Sequence, residues 1–294
     1  MNILNQFDYY APKTKKEAME LVKSLGDKAK VLAGGTDLII MMKEKMIKPE
    51  AIIDISELSE LKGIVCEGGK GARIGACTTI SEIEFSKELA AKYGALTYAA
   101  GELGSNQVRV MATIGGNCCH SSPAAETPTS LSALGASVVL GSLEGERELP
   151  IEEFILGNRK NALELGEILV EFILPEPEKK SACRYGYIGL RDAMEIDAVN
   201  MAVNLVLEQD GETIKDVKLV MGSVSPRPLI SEKTPALLKG RKLTEELILQ
   251  VGEAAQNEAK PISDVRASAE YRRDVVGALA RRLVKEAYEA AKEA

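Results

Sequence analysis

The chain has 294 residues, a length that supports about two domains. Its formal net charge of −7 disfavours general nucleic-acid binding. Aromatic residues are only 4% of the chain and tryptophan is absent, which argues against a base-stacking platform for single strands. In chain order, Phe7 to Pro12 reads as a short edge strand ended by proline. Thr14 to Glu17 has the capping-box spacing T-x-x-E; Ala18, Leu21, Val22 and Leu25 follow at helical intervals, and Gly26 suits the C-terminal cap. Lys30 to Ala33 reads as a strand entering Gly34-Gly35. Thr36 or Asp37 caps a short helix to about Lys45, and Ala51 to Ile55 is a strand. Together these form a small α/β unit.

Gly63 to Cys66 and Ala72 to Gly75 are β-type pieces. Ser81 to Glu84 reads as a second capping box before a helix to about Tyr93, with Leu96 to Leu103 also helical. Val108 to Ile114 leans towards strand and feeds Gly115-Gly116. Pro123 and Pro128 mark a loop, Ala136 to Leu140 is a strand, and so is Ile168 to Leu174. The charged, proline-bearing segment Pro175 to Lys180 is the predicted linker. Beyond it, strands over Cys183–Gly189, Ala198–Glu208 and Lys215–Ser223 predict an antiparallel sheet, with a turn at Gln209 to Glu212. Thr244 caps one helix, and a last helix is predicted to carry Tyr271, Val275, Leu279 and Leu283 on one face.

The start, Met1 to Asp8, lacks a basic segment leading into an apolar run, and no stretch has the apolar length of a membrane span. Five cysteines without a C-x-x-C pair, and a single histidine, argue against a zinc site or iron–sulfur cluster held by this chain alone. They suit a reducing cytoplasm. The two stretches Val31 to Asp37 and Thr113 to Asn117 carry paired glycines. Backbone bare of side chains lets N–H groups from two loops approach a diphosphate, although a tight turn explains either pair alone. Neither G-x-G-x-x-G nor G-x-x-x-x-G-K-[ST] occurs. His120, Ser121, Ser122 and Glu126 lack the G-x-S-x-G elbow of a hydrolase, so a loop histidine with a polar partner is the expectation. Arg191-Asp192 with Glu195 and Asp197 reads as a salt-bridged turn, and the arginines at 266, 272, 273, 281 and 282 read as a solvated or interface helix.

Ala33 to Leu38, Gln107 to Asn117 and Ser122 to Glu126 resemble the FAD-binding subunits of the molybdenum hydroxylases. That family includes xanthine, carbon monoxide and nicotinate dehydrogenases. Arg191-Asp192-Ala193-Met194-Glu195-Ile196 looks like bacterial xanthine dehydrogenase FAD subunits, and Ser263 to Ser268 with Tyr271-Arg272-Arg273 is similar to the family's C-terminal domain. The likeness spans nearly the whole chain. It implies an α+β fold: a two-subdomain α/β FAD-binding domain of the vanillyl-alcohol-oxidase type over residues 1–176 (subdomains about 1–57 and 58–176), then a C-terminal α+β domain with an antiparallel sheet over 181–290.

The resemblance further implies that Ala29, Lys30, Val31, Leu32, Ala33, Gly34, Gly35 and Thr36, with Thr113, Ile114, Gly115, Gly116 and Asn117, wrap the FAD diphosphate. Leu103, Ser122, Glu126, Leu169 and Tyr187 match further cofactor positions. The family often has aspartate at the place of Glu126 and lysine at that of Tyr187, so the carboxylate's reach changes and a positive charge is missing. No catalytic acid or base and no metal ligand is expected here. The implied partners are a large molybdenum–pterin subunit and a small subunit with two [2Fe–2S] clusters. Electrons would pass through FAD to NAD⁺ or another acceptor, in a xanthine dehydrogenase-like assembly. The alternatives are a nicotinate or carbon monoxide dehydrogenase subunit, a self-sufficient flavin oxidase, or an assembly module that has lost FAD.

Overall fold

The computed structural model describes residues 4–191 and 194–294. The chain opens with β1 (Asp8–Tyr10), α1 (Lys15–Leu25), β2 (Ala29–Leu32), α2 (Leu38–Lys43) and β3 (Ala51–Asp54). The strands form a parallel sheet in the order β1-β3-β2, so β1 is the predicted edge. The Thr14 hydroxyl accepts the Glu17 N–H at 3.1 Å to cap α1. The Glu17 carboxylate reaches one residue further back, to the Lys13 N–H at 2.7 Å. Gly26, at φ 54°, ends the helix.

The second unit runs β4 (Ile64–Glu67), β5 (Gly71–Gly75), α3 (Ile80–Glu84), α4 (Lys87–Glu102), α5 (Asn106–Arg109), α6 (Ile114–His120), α7 (Glu126–Ala133), β6 (Ser137–Ser142), β7 (Gly145–Pro150), α8 (Ile151–Phe154), β8 (Ile155–Gly157), β9 (Lys160–Asn161) and β10 (Ile168–Leu174). Its antiparallel sheet is ordered β4-β5-β10-β6-β7. Two expectations fail here. The capping box is Thr79–Glu82, two residues before the predicted one, because Glu84 is drawn instead to the buried Arg109, 2.7 Å away. The Val108–Ile114 run is not a strand. Ser105 caps α5 and Thr113 caps α6, and Arg109 is held by Glu84 and the Leu103 carbonyl, so packing overrides β propensity. A single bridge, Thr79 to Thr113, is what remains of β pairing. Pro123 and Pro128 also mark no continuous loop, since Pro128 lies in the first turn of α7, where a missing N–H costs little.

The last unit comprises β11 (Ser181–Ile188), β12 (Val199–Leu207), β13 (Ile214–Gly222), β14 (Leu229–Ile230), α9 (Lys233–Leu238), α10 (Glu245–Glu258) and α11 (Ala269–Glu293), with an antiparallel sheet in the order β11-β12-β13-β14. The predicted linker is pinned at its start: the Tyr93 hydroxyl donates to Pro175 O, and Glu176 pairs with Lys92. β12 is covered on both faces. Met201, Val203 and Leu205 pack with α10 and α11, whereas Ala202 meets Ala95 and Ala99 of α4 and Ala133 of α7. Strand alternation puts Asn200 on the same face as Ala202, towards α7. The buried stripe of α11 is shifted from the predicted one. Tyr271 is exposed and Val275 only partly buried, whereas Arg272, Val276, Leu279, Ala280 and Leu283 are buried. Among the described residues, no helix is long and apolar enough to cross a membrane.

Candidate functional site

The two glycine stretches touch. A Cβ on Gly34 would lie 1.9 Å from the Met111 carbonyl oxygen and 2.9 Å from the Ala112 Cα. Only a residue without a side chain lets the backbone after β2 approach the backbone before α6 so closely. Gly35 follows at φ 72°. On the other side, a Cβ on Gly115 would meet the Ala76 carbonyl at 2.5 Å, so this glycine sets α6 against the end of β5.

The two stretches differ in the hydrogen-bond donors they leave free. The N–H groups of Ile114, Gly115, Gly116 and Asn117 are bonded to Thr78 O, Ala76 O, the Thr113 hydroxyl and Thr113 O, respectively. The backbone donors of this second stretch are therefore spent within the protein. Among the described residues no acceptor takes the N–H groups of Gly34, Gly35, Thr36 or Asp37. Free N–H groups on successive residues, with no Cβ at two of them, suit an anionic group such as a diphosphate. The second stretch contributes a close surface instead. Gly116 is exposed, and its Cβ would meet only the Thr113 hydroxyl, at 3.0 Å.

A cleft of about 950 Å³ opens over this junction. Its size is at the upper end of the range for small-molecule sites. It is lined by Ala29, Lys30, Val31, Ala33, Gly34, Gly35, Thr36, Leu103, Thr113, Gly115, Gly116, Asn117, Ser122, Glu126 and Leu169. Three of the sequence-predicted residues fall outside this lining. Leu32 turns away on β2, and Ile114 is fully buried in the core under α6. Tyr187 packs where α4 and α7 meet the C-terminal sheet, and its phenol is raised in pKa chiefly by a hydrogen bond to Glu102. Sequence reasoning missed Arg159, Asn161 and the segment Leu163 to Ile168, which also line the cleft. They carry no motif and reach the site only because β8 and β9 fold back over α6, where Asn161 donates to Cys119 O at 2.9 Å. Of the Arg191–Ile196 motif, Asp192 and Ala193 lie outside the described residues; Glu195 and Ile196 line the cleft.

The side chains offer binding groups but no nucleophile. The Ser121 hydroxyl donates to Cys118 O at 2.9 Å and closes α6, so it is a cap. His120 has a polar neighbour, Asp37 at 3.8 Å, but it is the last residue of α6 and not the loop histidine expected. Burial pushes the thiols of Cys77 and Cys119, both in the lining, up to about 12, which leaves them unreactive. Among the described residues no group of three metal-ligating side chains occurs.

Glu126, the first residue of α7, is 8% exposed. Burial first, and the Asp197 charge second, raise its carboxyl to about 8. Asp197 is itself raised to about 7, chiefly by burial, although it accepts from Asn200 Nδ2 at 3.2 Å and the Tyr185 hydroxyl at 3.3 Å. Asn200 accepts the Thr129 hydroxyl of α7 at 2.7 Å, and the Ser223 N–H donates to Pro123 O. This polar seam joins the cleft's Ser122–Glu126 corner to the C-terminal sheet.

Residues 5–177 match the family described as the FAD binding domain in molybdopterin dehydrogenase, and residues 187–287 match the CO dehydrogenase flavoprotein C-terminal domain. The carbon monoxide dehydrogenase medium chain of Hydrogenophaga pseudoflava is 31% identical over 96% of this chain and 97% of its own length. The nicotinate dehydrogenase FAD-subunit of Eubacterium barkeri is 34% identical over 83% of each. A solved structure of the Hydrogenophaga pseudoflava carbon monoxide dehydrogenase, in a form lacking the Mo-pyranopterin moiety, superposes with a TM-score of 0.92 at 32% identity, covering 98% of this chain and 99% of that one. The bare Gly34–Asp37 donors and the long cleft fit the cofactor that these matches name, and the chain belongs to the FAD-binding subunits of the molybdenum hydroxylase family.

Proposed function

We propose that this chain holds FAD in the cleft and carries electrons between a partner subunit's [2Fe–2S] clusters and NAD⁺ or another acceptor, within an assembly whose large subunit bears the molybdenum–pterin centre. The observation that carries the reading is the Gly34–Met111 contact, which leaves the N–H groups of Gly34 to Asp37 unengaged at the cleft. Those donors would take the diphosphate, and the exposed backbone of Gly116 would lie along it. FAD supplies the redox chemistry when bound; the chain's own residues bind, orient and shield it. Ala29 to Thr36 and Thr113 to Asn117, with Leu103, Ser122, Glu126 and Leu169, are the proposed contacts. Leu32 and Ile114 act from behind the lining, and Tyr187 acts through its packing beneath the α4 end.

The proposed domains are residues 1–176, with subdomains about 1–57 and 58–176, and residues 181–290; the family matches over 5–177 and 187–287 support the reading. The finer assignment is a xanthine dehydrogenase-like parent enzyme located in the cytoplasm. It rests on the Arg191–Ile196 likeness and on a xanthine dehydrogenase FAD-binding subunit from Escherichia coli, 29% identical over 96% of this chain. Relatives named for carbon monoxide, nicotinate and caffeine differ little in identity, as expected if the substrate is chosen on another chain.

The test is flavin content. The full chain should bind FAD stoichiometrically and co-purify with a molybdenum-bearing and an iron-bearing subunit. Gly116→Leu should fold, since nothing but its own cap lies near, yet lose at least tenfold in FAD affinity. Wild-type protein that takes up no FAD would overturn the proposal, and turnover of a purine by the assembly would support its finer part.

A further inference from the structure

Glu126 is a carboxyl group turned into a site built for an anion, and it has no cation of its own. On α6, the polar groups near it are Asn117 and His120, and His120 is engaged with Asp37. The C-terminal end of α4 carries Glu102. The approach to β12 brings Glu195 and Asp197, and β11 brings Tyr185. On β13, Lys218 is paired with Glu152 of α8 at 3.0 Å, and Ser223 is neutral. Lys30 and Arg159 line the cleft, but neither makes an ion pair with Glu126. Among the described residues no side chain forms a salt bridge to it, although the residue is more than nine-tenths buried. An ionised Glu126 would face the Asp197 carboxylate on the protein side and place a second negative charge in the lining of a cleft read as holding an anionic cofactor.

We infer that Glu126 meets the cofactor as a neutral carboxyl group, donating a hydrogen bond, so that FAD binding takes up a proton at this residue. The inference rests on the reading of the cleft as an FAD site. The linkage sign follows from the geometry: the protonated protein is the binding form, so affinity is full at acidic and neutral pH and falls as Glu126 ionises. With its carboxyl titrating at about 8 in the free protein, FAD affinity should fall about tenfold between pH 7 and pH 9. The Glu126 side chain extends from the start of α7 into the cleft.

The experiment uses the full chain stripped of flavin and titrated with FAD between pH 6 and pH 9 by fluorescence quenching. It is paired with calorimetry at pH 8 in two buffers of different ionisation heat. Wild-type protein should show the tenfold loss and take up roughly half a proton at pH 8. Glu126→Gln, neutral and still a donor, should show neither the pH-dependent loss nor the proton uptake, whatever its affinity at pH 6.5. A flat wild-type profile, no proton uptake, or the same pH dependence in Glu126→Gln would overturn the inference while leaving FAD binding intact. Absence of FAD binding at every pH would overturn the functional reading itself.

Discussion

Replacing Gly34 by alanine tests the contact on which the cleft depends. The added Cβ would lie 1.9 Å from Met111 O, 2.6 Å from Met111 C and 2.9 Å from Ala112 Cα. All three are backbone atoms, so no side-chain rotation relieves the clash. Restoring ordinary contact requires a displacement of about 1.5 Å. The peptide that must move is tied down: Ala112 O accepts the Ile80 N–H at 2.8 Å, and the Ala112 N–H donates to Val108 O at 2.7 Å. Thr113, the next residue, caps α6. Overpacking costs about 1–3 kcal/mol, and each hydrogen bond lost adds about 1 kcal/mol. The expected destabilisation is about 3 kcal/mol, which lowers the melting temperature by roughly 6–12 °C for a chain of this size. FAD content should fall in parallel, because the loop carrying the free N–H groups is the one displaced. Thermal unfolding and flavin absorbance, measured on the same preparations, read both effects. Gly68, with no atom within 4 Å of its Cβ position, is the matched control and should tolerate alanine. A Gly34→Ala protein with wild-type melting temperature and flavin content would refute the claim that the two glycine stretches meet.

Two further outcomes follow from buried charges. Arg272 of α11 is 3% exposed and donates to the carbonyls of Ala198 and Ser223 and to Asp264. Arg272→Leu strands two carbonyls, while Asp264 keeps Arg266 at 2.8 Å, and chemical denaturation should show a loss of roughly 2–5 kcal/mol. The second outcome concerns pH. Glu126 and Asp197 both have folded-state pKa values above those of the unfolded chain, so the unfolded state releases their protons first as pH rises. Their contribution to stability is full below about pH 4 and is lost as pH climbs to about 8. Glu126→Gln should therefore be more stable than wild type at pH 8.5, by about 4–5 kcal/mol, and within about 1 kcal/mol of it at pH 5. Equal stability at both pH values, by denaturant titration of the flavin-free protein, would contradict the shifted titration.

Local signals located most elements where side-chain chemistry acts over a few residues. Thr14, Gly26 and Thr244 mark helix ends, and each acts through one cap seen in the structure. The Val108–Ile114 run misled because its β-branched residues satisfy strand propensity, whereas Arg109 is fixed by Glu84 from a different helix. No window of sequence contains that pairing. The same limit hid the shifted stripe on α11, since Arg272 reads as a surface residue until its carbonyl partners, Ala198 just before β12 and Ser223 just after β13, are known. For the site, the glycines and the family motifs brought most of the lining together. What they did not reveal was the division of labour between the two stretches. Thr113 looks equally ready to help bind an anion or to cap a helix, and the backbone decides for the cap.

The C-terminal unit is therefore part of the cleft's construction. Ser122 to Glu126 bridges α6 and α7, and α7 has no side-chain cap at its start. That corner is held from outside, by Ser223 N–H on Pro123 O and by Asn200 on Thr129. Gly222 makes room for the second contact, because a Cβ there would lie 2.0 Å from Asn200 Oδ1 and 2.7 Å from the Thr129 hydroxyl. Asn200 also donates to Asp197, whose charge reaches Glu126. A shift of β12 against α7 would then change both the position and the protonation of Glu126, an acid buried in the cleft with no cation among the described residues. Packing between the two units, through small residues at Ala95, Ala99, Ala133 and Ala202, is the physical route by which an event on the C-terminal sheet can alter how tightly the cofactor is held.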